Sequence, residues 1–323
     1  LGNAETPTVS VVIPTLGRSP HLSKCLDRLR ASNRLEPEII VVAQGGEVES
    51  VDLSAANRVI RSEENLGFAG GCNLGLANAE GSYVGLVNDD ALVDPEWLPA
   101  LVEAIDSRDD VGAVQGINLQ MHDPERVDGC GIAWNWAWRP VQLGFGAPVE
   151  ELRTAGDVRD IFGVSGTAAL FRRAALDGVA IEAGIFFDPR LRSYYEDVEL
   201  AIRLRQQGYR SLLVPEARAV HAGSVTSRQF PVEHAELLSS NRYLVAARLF
   251  GRKRRSPMWR LRIRDLVEFL GAIARGHLQT SRGLLAGWKR ARRLLPEFTH
   301  EGPPALDERE LATFRISRAS AIR

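Results

Sequence analysis

Two acidic clusters and one histidine are the groups in this 323-residue chain whose types and settings could do chemistry. Asn88-Asp89-Asp90 follows the apolar run Tyr83-Val84-Gly85-Leu86-Val87. Two carboxylates on one tight turn repel each other unless a cation, a basic side chain or water compensates them, and their hard oxygens suit Mg²⁺ or Mn²⁺. Such a pair also occurs as a solvated turn or a helix cap. Its place favours the metal, because open α/β sheets bind ligands past the C-terminal ends of their strands. A divalent ion there would bridge two phosphates of a nucleotide. Tyr194-Tyr195-Glu196-Asp197-Val198-Glu199-Leu200 opens a predicted helix, where acids complement the helix dipole. One of them facing a cleft could instead take a proton from a hydroxyl. His221, before Ala222-Gly223-Ser224, reads either as a hydrogen-bonded structural residue or as a neutral imidazole suited to Mn²⁺.

Between these groups runs Asn65-Leu66-Gly67-Phe68-Ala69-Gly70-Gly71-Cys72-Asn73-Leu74-Gly75. Glycines at a helix start admit a ligand's anion, or a neighbouring strand, close to the backbone. The first strand is followed by Pro14-Thr15-Leu16-Gly17-Arg18 rather than by Gly-x-Gly-x-x-Gly, and no phosphate loop of the GxxxxGK[ST] type occurs. Dehydrogenase and ATPase readings are thereby disfavoured.

The elements that must position these groups alternate. Strands are expected at 9–13, 38–43, 58–61 and 83–87, with helices at 22–29, 69–79 and 95–105, the last capped by Asp94 with Pro95 in its first turn. This is the pattern of an α/β fold with a mostly parallel central sheet. From 118 to 160 the periodicity dissolves into Trp, Gly and Pro, an irregular or antiparallel segment. Trp134, Trp136 and Trp138 there could stack on the rings of a ligand or form core. A strand at 168–172, a helix at 196–207 ended by Gly208 and a strand at 210–214 follow. Beyond about 230 come Leu/Arg-rich helices to Pro296 and a polar tail, so the chain divides into 1–230 and a helical extension, 231–323.

Composition agrees with a folded chain: 45% hydrophobic residues, 40 Lys+Arg against 41 Asp+Glu and a net charge of −1. That balance hides a polarity. From 241 to 295 fifteen basic residues face only Asp265 and Glu268, a formal +13, which leaves −14 elsewhere. Cys25, Cys72 and Cys130 are scattered and never spaced CxxC, so neither a disulfide framework nor a cysteine zinc site is expected, and a reducing cytoplasmic setting fits. No signal peptide is read in 1–8, and no apolar run reaches the roughly 18–20 residues of a membrane span.

In order along the chain, Val9-Ser10-Val11-Val12-Ile13-Pro14-Thr15, the glycine stretch, Leu86-Val87-Asn88-Asp89-Asp90, Val164-Ser165-Gly166-Thr167, Glu196-Asp197-Val198-Glu199-Leu200 with Arg203 and Gly208, and His221 resemble glycosyltransferase family 2. The resemblance spans residues 8–225 and is nearest to rhamnosyltransferase-like and galactofuranosyltransferase-like members. It implies a GT-A fold, Asp90 and His221 as ligands of Mn²⁺ or Mg²⁺, and Asp197 as general base with Glu196 supporting it or touching the acceptor. It further implies a nucleotide pocket of Pro14, Thr15, Gly17 and Arg18 on one side and Asn65, Gly67, Gly71 and Asn73 on the other, with Asp89 near the ribose or diphosphate. Where many members carry acids after the second strand, this chain has Ala43-Gln44-Gly45-Gly46, and the Gln44 amide could meet a pyrimidine edge as donor and acceptor.

The implied reaction is a single inverting displacement from a nucleotide-diphosphate sugar, dTDP-L-rhamnose before a UDP-hexose or UDP-galactofuranose, to a glycan or lipid-linked acceptor in cell-surface polysaccharide synthesis. A sugar-phosphate nucleotidyltransferase would be expected to carry a basic glycine-rich loop after the first strand, and 15–18 supply one charge. A non-catalytic carbohydrate-binding or scaffold protein is the reading from another class. The basic helices read either as packing on the catalytic part or on another subunit of a homo-oligomer, or as attraction to an anionic membrane at the inner face of the cell membrane, with Trp259 and Trp288 at the interface. Nucleic acid is disfavoured, since no readout module accompanies the charge.

Overall fold

The computed structural model describes residues 8–46, 52–153, 158–223, 230–251, 255–298, 306 and 308–316. Residues 1–7, Ser224, Arg252, Lys253, Arg254 and most of the polar tail lie outside the described residues. The elements in order are β1 (Val9–Thr15), α1 (Leu22–Arg30), β2 (Glu38–Gln44), β3 (Arg58–Ser62), α2 (Gly67–Leu76), β4 (Tyr83–Val87), β5 (Ala91–Val93), α3 (Trp97–Asp106), β6 (Val111–Gln120) and β7 (Asp123–Gly129). Then come β8 (Ile132–Trp134), β9 (Pro140–Gln142), α4 (Val149–Arg153), β10 (Arg159–Ile161), β11 (Ala168–Arg172), α5 (Arg173–Gly178), α6 (Glu196–Gln206) and β12 (Arg210–His221). The helices α7 (Pro231–Phe250), α8 (Arg255–Ala274), α9 (Leu278–Phe298) and α10 (Glu308–Thr313) close the chain.

Strands β1 and β2 are apolar on both faces, as a buried sheet demands. Val11, Ile13, Ile39 and Val41 pack with Leu22, Leu26 and Leu29 of α1 and with Trp97, Leu101 and Ile105 of α3. Val12, Ile40 and Val42 point the other way, to Ala69, Cys72 and Leu76 of α2 and to Leu200 and Leu204 of α6. The period-two alternation thus builds helix, sheet and helix layers.

The sheet runs β10-β12-β6-β11-β4-β1-β2-β3, with β5 added on β12 and β7 on β6. It is mixed. The pairs of β1 with β2 and β4, of β2 with β3 and of β12 with β6 are parallel, whereas β11 lies antiparallel between β4 and β6. The 118–160 segment, expected to be irregular or antiparallel, contains β7 antiparallel to β6 and the β8–β9 hairpin. Trp134 and Trp138 are buried there, edge-on to Phe162 and Phe250, so they are core; Trp136 is half exposed.

Two expectations are corrected. The helix expected from Pro95 begins at Trp97, and Asp94 does not cap it: the Asp94 N–H donates to Arg218 O, and its own carbonyl accepts from Trp97 N–H. Strand β12 does not stop at Val214. A register shift between Leu213 and Arg218 accommodates Pro215, and pairing resumes to His221.

The helices after residue 230 share a core with the rest. Tyr243, Val245, Ala246 and Leu249 of α7 pack with Val198 and Ile202 of α6 and with Ile132 and Trp134. Among the described residues no helix is long and apolar enough to cross a membrane.

Candidate active site

A cleft of about 780 Å³ opens at the C-terminal ends of β1 and β4, and the catalytic, metal-ligand and nucleotide-pocket residues expected from the sequence line it except Gly17, Gly71 and Asn73. Asp90 and His221, 131 positions apart in sequence, meet because the three-residue strand β5 turns back from Asp90 and pairs antiparallel with the end of β12, His221 opposite Ala91. His221 Nε2 lies 3.2 Å from Asp90 Oδ1, and Nδ1 lies 2.8 Å from Asp128 Oδ2 on β7. Burial disfavours the imidazolium, but the hydrogen bonds and charges of Asp128 and Asp90 outweigh it and push the pKa up to about 9. Asp89 accepts a 2.5 Å hydrogen bond from Thr15 Oγ1, which itself accepts from Gly17 N–H. Burial pushes Asp89 up to about 6 against that bond, and Asp90's charge adds to the rise.

This donor set fits a divalent cation. Asp90 supplies a hard oxygen and His221 an imidazole nitrogen, and Asp128 fixes the ring from the far nitrogen, the outer-sphere arrangement usual for a metal-bound histidine. Among the described residues no three His, Cys, Asp or Glu side chains form a closed cage. An open pair suits Mg²⁺ or Mn²⁺, which keep positions for phosphate oxygens and water.

On the glycine side, Gln44 Oε1 accepts from Leu66 N–H (2.9 Å), which commits one of the two acceptor positions of that oxygen within the protein. Gly71 is required beneath it, since a Cβ there would collide with Gln44 Nε2. Gly67 sits at φ +73°, and a Cβ would stand 2.8 Å from Arg192 O. Asn73 is no part of the pocket wall: its amide donates to Phe187 O and accepts from Phe186 and Phe187 N–H, pinning the 186–187 segment beneath α2.

Glu196 and Asp197, at the start of α6, line the same cleft. Asp197 is half-buried and accepts from Gly166 N–H (3.1 Å) and Val198 N–H (2.7 Å). The same 165–167 segment bonds to the metal-side turn, Asn88 N–H donating to Thr167 O, so one short loop spaces the two groups of carboxylates. Burial raises the Asp197 pKa despite those backbone donors. Glu196 is buried with Oε2 unpartnered; burial first, and the Asp197 charge second, raise it well above the carboxylate range, favouring its neutral form. Glu199, third acid of the motif, faces inward onto Arg203 and Arg248.

The turn that delivers this pair is strained. Arg192, Tyr194 and Tyr195 all have φ between 60° and 70°, a region that costs side-chain-bearing residues about 1 kcal/mol or more each. It is held from three sides. Ala69 N–H donates to Arg192 O and Phe68 N–H to Ser193 Oγ, both from α2. From α7, buried Asn241 Nδ2 reaches Leu191 O, Ser193 O and Tyr194 O at 2.8–3.0 Å. Arg290 of α9 in turn donates to Asn241 Oδ1 at 2.8 Å. Asn241 and Asp128 were not found from sequence, nor was Phe145, a 52% exposed aromatic lining the cleft where the three tryptophans do not. A second groove of about 1030 Å³ adjoins the cleft, sharing Asn65, Arg192, Phe230 and Glu233.

Known proteins resemble the chain in sequence and in fold. The chain is 25% identical over 322 positions to the N-acetylglucosaminyl-diphospho-decaprenol L-rhamnosyltransferase of Mycobacterium tuberculosis, covering 90% of this chain and 98% of that one. It is 29% identical over 214 positions to galactofuranosyltransferase GlfT1 of the same organism, covering 63% and 66%. In fold it is similar to the mannosyltransferase PcManGT of Pyrobaculum calidifontis, solved with GDP-Man and Mn²⁺, at TM-score 0.56 and 17% identity over 90% of this chain and 88% of that one. Residues 10–179, more than half of the chain, match the family described as glycosyl transferase family 2. With its GT-A fold, the chain belongs to glycosyl transferase family 2 and is an enzyme that transfers sugar from a nucleotide-sugar donor.

Proposed function

We propose that the chain catalyses a single inverting displacement in which Asp197 is the general base. The observation that carries this is that Asp197 and the Asp90–His221 pair line one cleft, with the 165–167 segment bonded to Asp197 on one side and to Asn88 on the other. Asp90 and His221 would hold Mn²⁺ or Mg²⁺, which when bound supplies positive charge to a departing diphosphate. Thr15, Arg18, Asn65 and Gly67 line the nucleotide side, and Gln44 offers its amide N–H₂ to a base edge. Asp197 takes the proton of the acceptor hydroxyl as that oxygen attacks the anomeric carbon, and configuration inverts because one displacement occurs. Glu196, neutral in its buried setting, donates a hydrogen bond to the acceptor. Phe145 gives the acceptor sugar an apolar face, and the adjoining groove gives a longer acceptor a way out.

The donor we infer is dTDP-L-rhamnose and the acceptor a prenyl-diphosphate-linked sugar, supported by similarity to the rhamnosyltransferase over nearly its whole length. UDP-galactofuranose is the second reading, supported by the similarity to GlfT1. Calorimetry with dTDP, UDP and GDP, with and without Mn²⁺, separates them: the expected result is Mn²⁺-dependent binding of dTDP ahead of UDP. Preference for UDP moves the assignment to the second reading, and binding of none of them contradicts both.

A further inference from the structure

Helix α8 has two apolar faces. The inner face buries Met258, Leu261 and Ala272, and around it Asp265 pairs with Arg242 (Oδ1 to Nη1, 2.5 Å) and accepts from Trp288 Nε1. Trp288 therefore points into the helical layer against Phe269, not outward as the sequence allowed. The outer face carries Trp259, Ile263, Leu266, Val267, Leu270 and Ile273, each between 48% and 56% exposed. These positions are spaced four, three, one, three and three residues apart, which makes one stripe along most of a 20-residue helix. Single exposed hydrophobics need no explanation, but a continuous stripe marks a surface that is covered in use.

Charge tells what covers it. Arg260, Arg262, Arg264 and Arg275 border the stripe or end the helix, and the Arg260 guanidinium carbon lies 5.8 Å from the Trp259 ring centroid. The only acids between 255 and 277 are Asp265 and Glu268. Both bond inward, Asp265 to Arg242 and Glu268 to Arg242 and Arg139, so neither faces the stripe's partner. A second copy of the chain docked across a two-fold axis would set basic margin against basic margin. An anionic surface would complement the arginines while its apolar interior receives the stripe.

We propose that the outer face of α8 lies in the headgroup region of a bilayer containing anionic phospholipid, with the helix axis in the membrane plane. An apolar face bounded by arginines, on a helix that does not span, is the makeup of an interfacial anchor. The inference stands apart from the donor and acceptor assignments, because binding is read without turnover.

The test is flotation of the full chain with vesicles of phosphatidylcholine alone and of phosphatidylcholine with about one-third phosphatidylglycerol. The wild type is expected to float with the anionic vesicles, to be released by high salt, and to bind neutral vesicles at least about tenfold more weakly. Ile263→Glu with Leu270→Glu is expected to lose binding about tenfold or more, with melting temperature and Mn²⁺-dependent nucleotide affinity unchanged. Arg260→Glu with Arg262→Glu is expected to weaken anionic binding alone. Absence of flotation at low salt, or equal binding by the Ile263/Leu270 variant, would overturn the proposal. So would a dimer in sedimentation that this variant dissociates, because the stripe would then belong to a second copy.

Discussion

Along the nucleotide side of the cleft, the polar side chains are held by the strand ends that carry them and by neighbours in the same layers. Thr15 bonds Asp89 between adjacent strand ends, His221 meets Asp90 through the β5–β12 pairing, and Asp128 comes from the next hairpin. The acceptor side is built otherwise. Glu196 and Asp197 open α6 directly after a turn with three residues at positive φ, and that turn is clamped from the C-terminal helices by Asn241 and Arg290. The metal-side wall is thus a product of sheet geometry, whereas the base-side wall depends on residues more than forty positions downstream. The lesson is that the helices after residue 230 help to hold in place the carboxylate proposed as the base.

Each expected outcome below separates the two walls. The largest effect belongs to Asp197→Asn, which should lower kcat by about 10²–10⁴-fold while leaving Mn²⁺-dependent nucleotide binding near wild type, measured by product formation and calorimetry. Asp128→Asn frees the His221 ring without removing a ligand and should weaken Mn²⁺ affinity by about 10–100-fold, read by titration of the metal in the presence of the nucleotide. Asn241→Ala leaves the carbonyls of Leu191, Ser193 and Tyr194, the first of them buried, short of a donor. It should cost about 1–3 kcal/mol of stability and lower kcat by about tenfold with nucleotide affinity unchanged. A nucleotide affinity that falls with kcat would show that the two walls are not independent.

The smallest effect concerns Glu196. Its pKa is raised in the folded state, so the fold binds this proton more tightly than the unfolded chain does. Its charge is therefore no burden below the ordinary carboxylate range and destabilises increasingly as pH rises through the window up to the raised value. Glu196→Gln should raise Tm at pH 8 and leave it almost unchanged at pH 4, measured by thermal denaturation. In the same way kcat of the wild type should fall as pH drops through the raised Asp197 pKa, because only the carboxylate accepts a proton.

How much of this was legible follows the same division. Strands β1, β2 and β4 announce themselves by apolar runs buried on both faces, and the Asp89-Asp90 turn could be placed at a sheet edge from sequence alone. The meeting of Asp90 with His221 came only from the family resemblance, because a three-residue strand such as β5 carries no periodicity. Asp128 was lost in a segment where turns break the pattern every few residues. Asn73 looked like a pocket residue because the glycine motif surrounds it, yet its amide is fully occupied beneath α2. Asn241 did leave a trace: Ser239-Ser240-Asn241-Arg242 places four polar residues in succession between Leu237-Leu238 and Tyr243-Leu244-Val245, and all four are buried. Asn241 directs its amide to the turn before α6, Ser240 bonds Leu237 O within the helix, and Arg242 pairs with Asp265 and Glu268. The charge of +13 assigned to the extension likewise overstated its surface, since Arg242, Arg248 and Arg290 point inward to Asp265, Glu199 and Asn241.

The most direct test of the account sets Asp197→Asn beside Asp90→Asn, with turnover and Mn²⁺-dependent nucleotide affinity measured on both. The expected pattern is reciprocal: Asp197→Asn keeps the affinity and loses turnover, and Asp90→Asn loses the affinity itself. Wild-type turnover in Asp197→Asn, or an unchanged Mn²⁺ dependence in Asp90→Asn, would contradict it.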